Sequence, residues 1–280
     1  MLVGALADIH GNFDAMRRAM ERHPDVPFWL CVGDVASRSG AYPEPPAPVY
    51  WIKGNNENFD RIAEWKAGRD QVPNLHYIPN GTAWKIGVLN VAGLGGTFAP
   101  TWFGTSAANL PHRPRDDKRR HFVREEVEAC KQLSGVDILM THEAARPFII
   151  VDEPGEGVTP RRRDAGKPAI NDVLATMKPR LHLCGHHHRF VETVREGVPS
   201  VCIDRINRSY LLIDADTLEL TMAITDPEMY TRPWVSDTKL FRLDRAKSSR
   251  WDEQIYCVPT EEYKFNQRVR DEAGGKGVGK

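Results

Sequence analysis

The chain has 280 residues, 41% of them hydrophobic and 27% charged, the composition of an ordinary soluble globular protein with a sizeable core. Its 38 Lys plus Arg balance 38 Asp plus Glu, which excludes a whole-surface attraction to nucleic acid or anionic membrane but leaves room for a local basic patch. Five cysteines without a CxxC pair (Cys31, Cys130, Cys184, Cys202, Cys257) argue against a disulfide framework and for buried free thiols in a reducing, cytoplasmic compartment.

The opening run MLVGALADIHG is apolar for only six or seven residues and lacks a basic start, so it predicts a strand over Met1–Ala7 and not a signal peptide. No apolar run reaches the roughly 18 residues that cross a bilayer. A helix follows from about Asn12, with Phe13, Met16 and Met20 on one face. Strands are expected over Phe28–Gly33 and Val49–Lys53, separated by the proline-rich loop YPEPPAP at 42–48. A second helix starts near Asn58 and stops at Gly68, in the position of a C′ glycine. Next come a strand over Trp84–Ala92, a charged helix over about Asp117–Leu133 and a strand over Val136–Met140. DEPGEGVTPRRRDAGK, 152–167, reads as a long polar loop of the kind that often serves function. The helix after it begins at Pro168, carries Ile170, Val173, Leu174 and Met177 at helical spacing, and stops before Pro179. Strands over Leu181–Cys184, Val198–Asp204 and Tyr210–Ile213 complete an alternating α/β pattern. Beyond about Thr225 the alternation fades into a segment with Trp234, Phe241, Trp251, Tyr256, Tyr263 and Phe265, ending in the flexible tail GGKGVGK. The expected division is one domain over 1–224 and an extension over 225–280.

Five of these strands end in ligand-type side chains: Asp8-Ile9-His10, Gly33-Asp34, Gly54-Asn55-Asn56-Glu57, Thr141-His142-Glu143 and Gly185-His186-His187-His188. In open α/β sheets that edge is where ligands bind. Carboxylate, imidazole and amide oxygen together suit borderline or hard divalent metals such as Mn²⁺, Fe²⁺ or Zn²⁺. Asp8 and His10, like His186 and His188, are separated by one residue, so each pair points to one side of an extended chain. Each piece alone has a bland reading. A D-x-H is common by chance, a lone His142 is more often structural, and three histidines in a row can be a surface accident. All five in order at strand ends would need five independent coincidences, so a metal site is the reading adopted.

At these residues the chain resembles the calcineurin-like metallophosphoesterase superfamily, whose motifs run D-x-H, G-D, G-N-H-[ED], a lone His and G-H-x-H, over roughly residues 4–190. The resemblance implies a four-layer α/β sandwich, two mixed β-sheets flanked by helices, with two divalent metal ions (Mn, Fe or Zn) at the sheet edge. It implies that Asp8, His10, Asp34 and His188 hold the first metal. Asp34 then bridges to the second, which Asn55, His142 and His186 complete, and His187 is left as an outward-pointing bystander. Two such cations neutralise a phosphate and activate a water for in-line attack. Asp34, His142 and the residue at position 56 are the expected catalytic groups.

Position 56 departs from the pattern, because the family usually has histidine there to protonate the leaving oxygen. Asn56 has no titratable proton near neutral pH and can donate only a hydrogen bond. Either the substrate has a good leaving group, or another acid (His112, His187 or Glu57) substitutes, or the protein binds without turnover. Seven intact ligands favour an enzyme. The second half, about residues 88–215, is most similar to RNA lariat debranching enzymes: PAINDVLATMKPRLHLCGHHHRF is followed by VPSVCIDRINRSYLLID. Those enzymes typically carry Cys where this chain has Asp8, and they keep the His that is here Asn56. The implied activity is therefore hydrolysis of a phosphodiester, in a nucleotide or nucleic acid. A phosphomonoesterase or protein phosphatase is the alternative, and a non-catalytic interaction protein on the same fold is the reading from another class. Substrate contacts are expected from Arg38, Asn56, His112 and Arg113. The stretch HRPRDDKRRHFVR at 112–124 and RRR at 161–163 are either a phosphate-tracking surface or a solvated charged face.

Overall fold

The structure, a computed structural model, describes residues 1–113, 116–152 and 161–231. In chain order the first half runs β1 (Leu2–Leu6), α1 (Phe13–Glu21), β2 (Trp29–Cys31), β3 (Val49–Trp51), α2 (Phe59–Lys66), β4 (Leu75–Tyr77), β5 (Thr82–Ile86) and β6 (Leu89–Leu94). The second half runs β7 (Thr97–Phe98), β8 (His121–Phe122), α3 (Arg124–Lys131), β9 (Ile138–Thr141), β10 (Ile149–Asp152), β11 (Arg161–Asp164), α4 (Pro168–Met177) and β12 (Leu181–Cys184). It closes with β13 (Val191–Arg195), β14 (Val198–Cys202), β15 (Ser209–Asp214), β16 (Leu220–Ile224) and α5 (Pro227–Thr231).

Two six-stranded sheets carry the fold, in the orders β16-β15-β1-β2-β3-β4 and β13-β14-β12-β9-β6-β5. Both are mixed. β1 to β4 pair parallel and β15 antiparallel to β1; β14, β12, β9 and β6 pair parallel, with β13 and β5 antiparallel at the rims. Side-chain alternation sorts the residues between layers. Leu30 of β2 points between the sheets with Val3, Ile52, Ile138, Met140 and Leu183. Its neighbours Trp29 and Cys31 point outward, under Met16 and Met20 of α1 and Ile62 and Trp65 of α2. On the far side Ala92, Leu94 and Leu139 are covered by Val127 and Cys130 of α3 and by Ile170, Val173 and Leu174 of α4. The result is the expected four layers, helix, sheet, sheet, helix. Among the described residues no helix is long and apolar enough to cross a membrane.

The helices start and stop where their caps dictate. Asn12 accepts from Ala15 N–H at 3.4 Å and Asn58 from Arg61 N–H at 3.1 Å, the N-cap interaction that satisfies an orphan donor. α4 opens on Pro168 and is capped after Met177 by Lys178, which takes a left-handed conformation just before Pro179.

Three expectations are corrected. The single strand expected over Trp84–Ala92 is a hairpin, β5 and β6 paired with Ile86 opposite Leu89, because Gly87 turns at φ +56° and opens a two-residue loop. The charged helix expected from Asp117 begins only at Arg124. Lys118 and Arg120 before it are buried and paired to Asp116 at 2.6 and 3.2 Å, which ties the chain into a 3₁₀ turn and β8 instead. The long loop expected over 152–167 supplies a strand, since β11 pairs antiparallel with β10 and takes RRR at 161–163 into that hairpin; 153–160 lie outside the described residues. The expected extension over 225–280 lies outside them beyond residue 231.

Candidate metal centre

The parallel strands β1, β2 and β3 of one sheet and β9 and β12 of the other end at a common edge, and the backbone stitches those ends together. His10 N–H donates to the Asp34 carbonyl at 2.8 Å, Asp8 N–H to Gly33 at 3.1 Å and Gly185 N–H to His142 at 3.1 Å. His186 N–H crosses between the sheets to Asp8 Oδ2 at 2.9 Å. The turns that aim the side chains are costly. Asp8, His10, Asp34, His186 and His188 all adopt positive φ, between 48° and 66°, and make up half of the ten described non-glycine residues that do so. Such conformations cost about 1–3 kcal/mol each and persist only where the surroundings enforce them, most often at functional sites. Gly54 lets the β3 end approach, for a Cβ there would lie 2.0 Å from Asp34 Oδ1.

Asp34 stands at the middle. Its Oδ2 lies 3.6 Å from His10 Nε2 and its Oδ1 3.6 Å from His142 Nε2. On the first side, His188 Nε2 is 3.3 Å from Asp8 Oδ1 and 3.0 Å from His10 Nε2. On the second, His142 Nε2 is 3.0 Å from Asn55 Oδ1, and the His186 ring centroid is 4.9 Å from that of His142. Two groups, Asp8 with His10 and His188 and Asp8 with Asp34 and His142, each place their ligand atoms within 4.8 Å of one another. All seven side chains read from the sequence as ligands are thus brought to one place.

The donor set fits divalent cations. His142 Nδ1 is 2.7 Å from the Val32 carbonyl, so that nitrogen carries a proton and Nε2 is the atom that could engage a cation in place of its own proton. Asp8 Oδ1, His186 Nδ1 and His188 Nδ1 are buried polar atoms with no hydrogen-bond partner, an expensive condition unless something else engages them. Burial pushes the Asp34 carboxyl up, but the imidazoles of His142 and His10 outweigh it and hold it well below the usual carboxylate range. Burial pushes His142 down, yet the Asp34 carboxylate reverses this and raises it to about 10. Burial takes His10 down to about 4 and His186 well below its ordinary value. The site therefore demands positive charge beside Asp34, a demand His142 meets as an imidazolium when no cation is bound, while His10 and His186 stay neutral.

A cleft of about 580 Å³ opens over this edge, and His10, Asn55, Asn56, Arg38, His112 and Arg113 are among its lining residues. Asn56 is turned inward and donates to Asp34. Glu57, half-buried, is committed to structure: its carboxylate accepts from the N–H groups of Val35, Ala36 and Gly54 at 3.0–3.2 Å and from Tyr42 Oη at 2.9 Å. His187 is a correction. Far from pointing outward, it is 3% exposed and stacks on Phe148 at 4.3 Å between ring centroids, because the left-handed turns at His186 and His188 interrupt strand alternation and roll it under that ring. Among the described residues of 112–124, Lys118, Arg119 and Arg120 are paired with Asp116, Asp117 and Asp60, while His112 and Arg113 are exposed on the cleft. Glu143 was passed over in the sequence; its only signal is a carboxylate next to His142.

A family model described as calcineurin-like phosphoesterase matches residues 1–190. The lariat debranching enzyme of Schizosaccharomyces pombe (strain 972 / ATCC 24843) is 24% identical over 203 residues, covering 68% of this chain and 44% of that enzyme. The chain thus spans less than half the length of the curated relative it matches. Among solved structures, TT1561 of Thermus thermophilus superposes with a TM-score of 0.54 at 13% identity, over 80% of this chain and 98% of that one. A second superposes at 0.57 with 12% identity, over 80% and 99%. At such identity these structures speak for the fold alone.

Proposed function

The chain belongs to the calcineurin-like phosphoesterase family, and from that premise we propose that it hydrolyses a phosphate ester with two divalent cations at the shared strand edge. Asp8, His10, Asp34 and His188 would hold one cation; Asp34, Asn55, His142 and His186 the other. The observation that carries this reading is Asp34, whose two oxygens face imidazoles of opposite halves of the site at equal 3.6 Å distances, as a bridging carboxylate requires. When bound, the cations supply charge neutralisation of the phosphate and a water acidic enough to attack near neutral pH. Mn²⁺, Fe²⁺ and Zn²⁺ all suit this mixture of oxygen and nitrogen donors.

The protein's own groups do the rest. Asn55 offers a neutral oxygen and the four imidazoles add no negative charge, so a ligand set with only two carboxylates still accepts an anionic substrate. Asn56 steadies Asp34 and has no proton to give a leaving group. Arg38, His112 and Arg113 on the cleft wall would face the substrate's phosphate and the groups attached to it.

The substrate class we propose is a phosphodiester of a nucleotide or nucleic acid. Its support is the debranching enzyme among the relatives, a cleft of about 580 Å³ within the range of small-molecule sites, and the guanidinium groups of Arg38 and Arg113 in its lining. We assign the activity to a domain over 1–224, with 225–280 as an extension. Turnover of a generic aryl diester against the matching monoester, with Mn²⁺ present, tests the choice. Diester cleavage is expected to dominate, and turnover of the monoester alone would reassign the chain as a phosphomonoesterase.

A further inference from the structure

The second half of the site contains a carboxylate that the proposed ligand set does not use. Glu143 follows His142 directly at the end of β9 and is 2% exposed. Its two oxygens have separate tasks. Oε2 accepts the N–H of Phe98 at 2.6 Å, which anchors the side chain to β7. Oε1 lies 3.3 Å from Lys167 Nζ and 3.8 Å from His186 Nε2. The Glu143 backbone is fixed as well, since its carbonyl accepts from Thr141 Oγ1 at 2.5 Å.

A histidine offers one lone pair when neutral, and which nitrogen offers it depends on what the other one faces. In His186 the nitrogen facing Glu143 is Nε2, and the one without a hydrogen-bond partner is Nδ1. At 3.8 Å the contact is longer than a hydrogen bond, so its force is electrostatic: the carboxylate favours the tautomer with the proton on Nε2. We propose that Glu143 is a positioning residue, whose anchored carboxylate fixes the orientation and tautomer of His186 so that Nδ1 is the atom presented to the second cation. Lys167 shares Oε1 and moderates that pull. This inference rests on the two-cation reading above.

An amide in place of the carboxylate cannot do both tasks. If its oxygen keeps the Phe98 N–H, its NH₂ faces His186 Nε2 and drives the proton to Nδ1, the ligating nitrogen. If it flips, two donors meet at Phe98. Outer carboxylates of this kind are worth about 10–100-fold in metal affinity. The experiment is Mn²⁺ titration by calorimetry of the full chain, for wild type, Glu143→Gln, His186→Ala and the double variant. Glu143→Gln is expected to weaken one of two Mn²⁺ sites by about 10–100-fold, to spare the other, and to have no further effect once His186 is alanine. Two sites of wild-type affinity in Glu143→Gln would overturn the proposal, as would equal loss at both sites or an effect that persists without His186. Should Glu143→Gln fail to fold, Lys167→Gln decides: removing the competing cation is expected to tighten the same site alone, and unchanged affinity there counts against the role. If the wild type itself binds fewer than two Mn²⁺, the two-cation reading fails, and this inference falls with it.

Discussion

Asn56 donates to Asp34 twice, through its backbone N–H to Oδ1 and its side-chain amide to Oδ2, each at 2.7 Å. Both oxygens of the carboxylate are thereby held in place, Oδ2 3.6 Å from His10 Nε2 and Oδ1 3.6 Å from His142 Nε2. The residue that takes the place of the family's usual histidine is thus a clamp on the Asp34 carboxylate.

Two substitutions separate clamping from proton donation. Asn56→Ala removes one hydrogen bond to a charged acceptor, worth about 1.5–3 kcal/mol, and is expected to lower kcat by about 10–100-fold for esters with good and poor leaving groups alike. Asn56→His also gives up the amide bond to Asp34, so it is expected to match Asn56→Ala on esters with good leaving groups and to exceed it only on esters with poor leaving groups, where a general acid contributes up to about 10²–10⁴-fold. Steady-state rates on an aryl and an alkyl diester check this. No gain of Asn56→His over Asn56→Ala on the alkyl ester would mean that another residue already supplies the proton.

Gly54 is the second test of the Asp34 environment. A methyl group there would sit 2.0 Å from Asp34 Oδ1 and 2.4 Å from its backbone nitrogen. Gly54→Ala is expected to displace the carboxylate, to cost at least about 1–3 kcal/mol in stability as overpacking does, and to abolish metal-dependent turnover. Chemical denaturation together with the diester assay measures both, and full activity in a stable variant would contradict the packing described.

Two histidines away from the cation positions set an acid limit on stability. Burial lowers His182 from 6.5 to about 3, with the charge of Arg195 adding to it; its ring lies between Thr141 Oγ1 at 2.8 Å and Ser200 Oγ at 3.2 Å. Burial lowers His121 to about 3 as well, helped by Arg120 and Lys118. Because the folded values are depressed, the unfolded chain takes up these protons first as pH falls below about 6.5. Each histidine then subtracts up to about 1.4 kcal/mol per pH unit from the unfolding free energy between about 6.5 and 3, and none above that window. Urea unfolding at pH 7, 5 and 4 is expected to show this slope, reduced by one histidine's share in His182→Gln. Equal slopes in the two proteins would contradict the assignment.

What the sequence disclosed and what it hid follow from the range of the forces involved. The cluster of side chains at the strand ends was legible because each member is local: an apolar run, a small residue, then Asp, Asn or His. Helix boundaries at Asn12, Asn58 and Pro168 were legible for the same reason, being cap chemistry within four residues. The hairpin at Gly87 was hidden because both of its arms alternate like one strand. The inward turn of Lys118 and Arg120 was hidden because their burial depends on Asp116 and on a turn pinned from afar by Lys53 Nζ, which donates to the carbonyls of Arg119 and His121 at 2.8 and 3.0 Å. His187 was misread because its burial needs Phe148, 39 residues earlier, and two left-handed turns that no spacing rule foresees. Glu143 was missed because its meaning lies in Phe98, Lys167 and His186, none of them near it in sequence.

The most direct measurement is the number of Mn²⁺ ions bound per chain at saturation, by calorimetry and elemental analysis of metal-stripped protein, in wild type and Asp34→Asn. Two ions in the wild type, both lost or severely weakened in Asp34→Asn along with diester turnover, is the result expected of a carboxylate shared by two cations. A wild type that binds one ion or none, or an Asp34→Asn protein that still binds two and turns over, would contradict it.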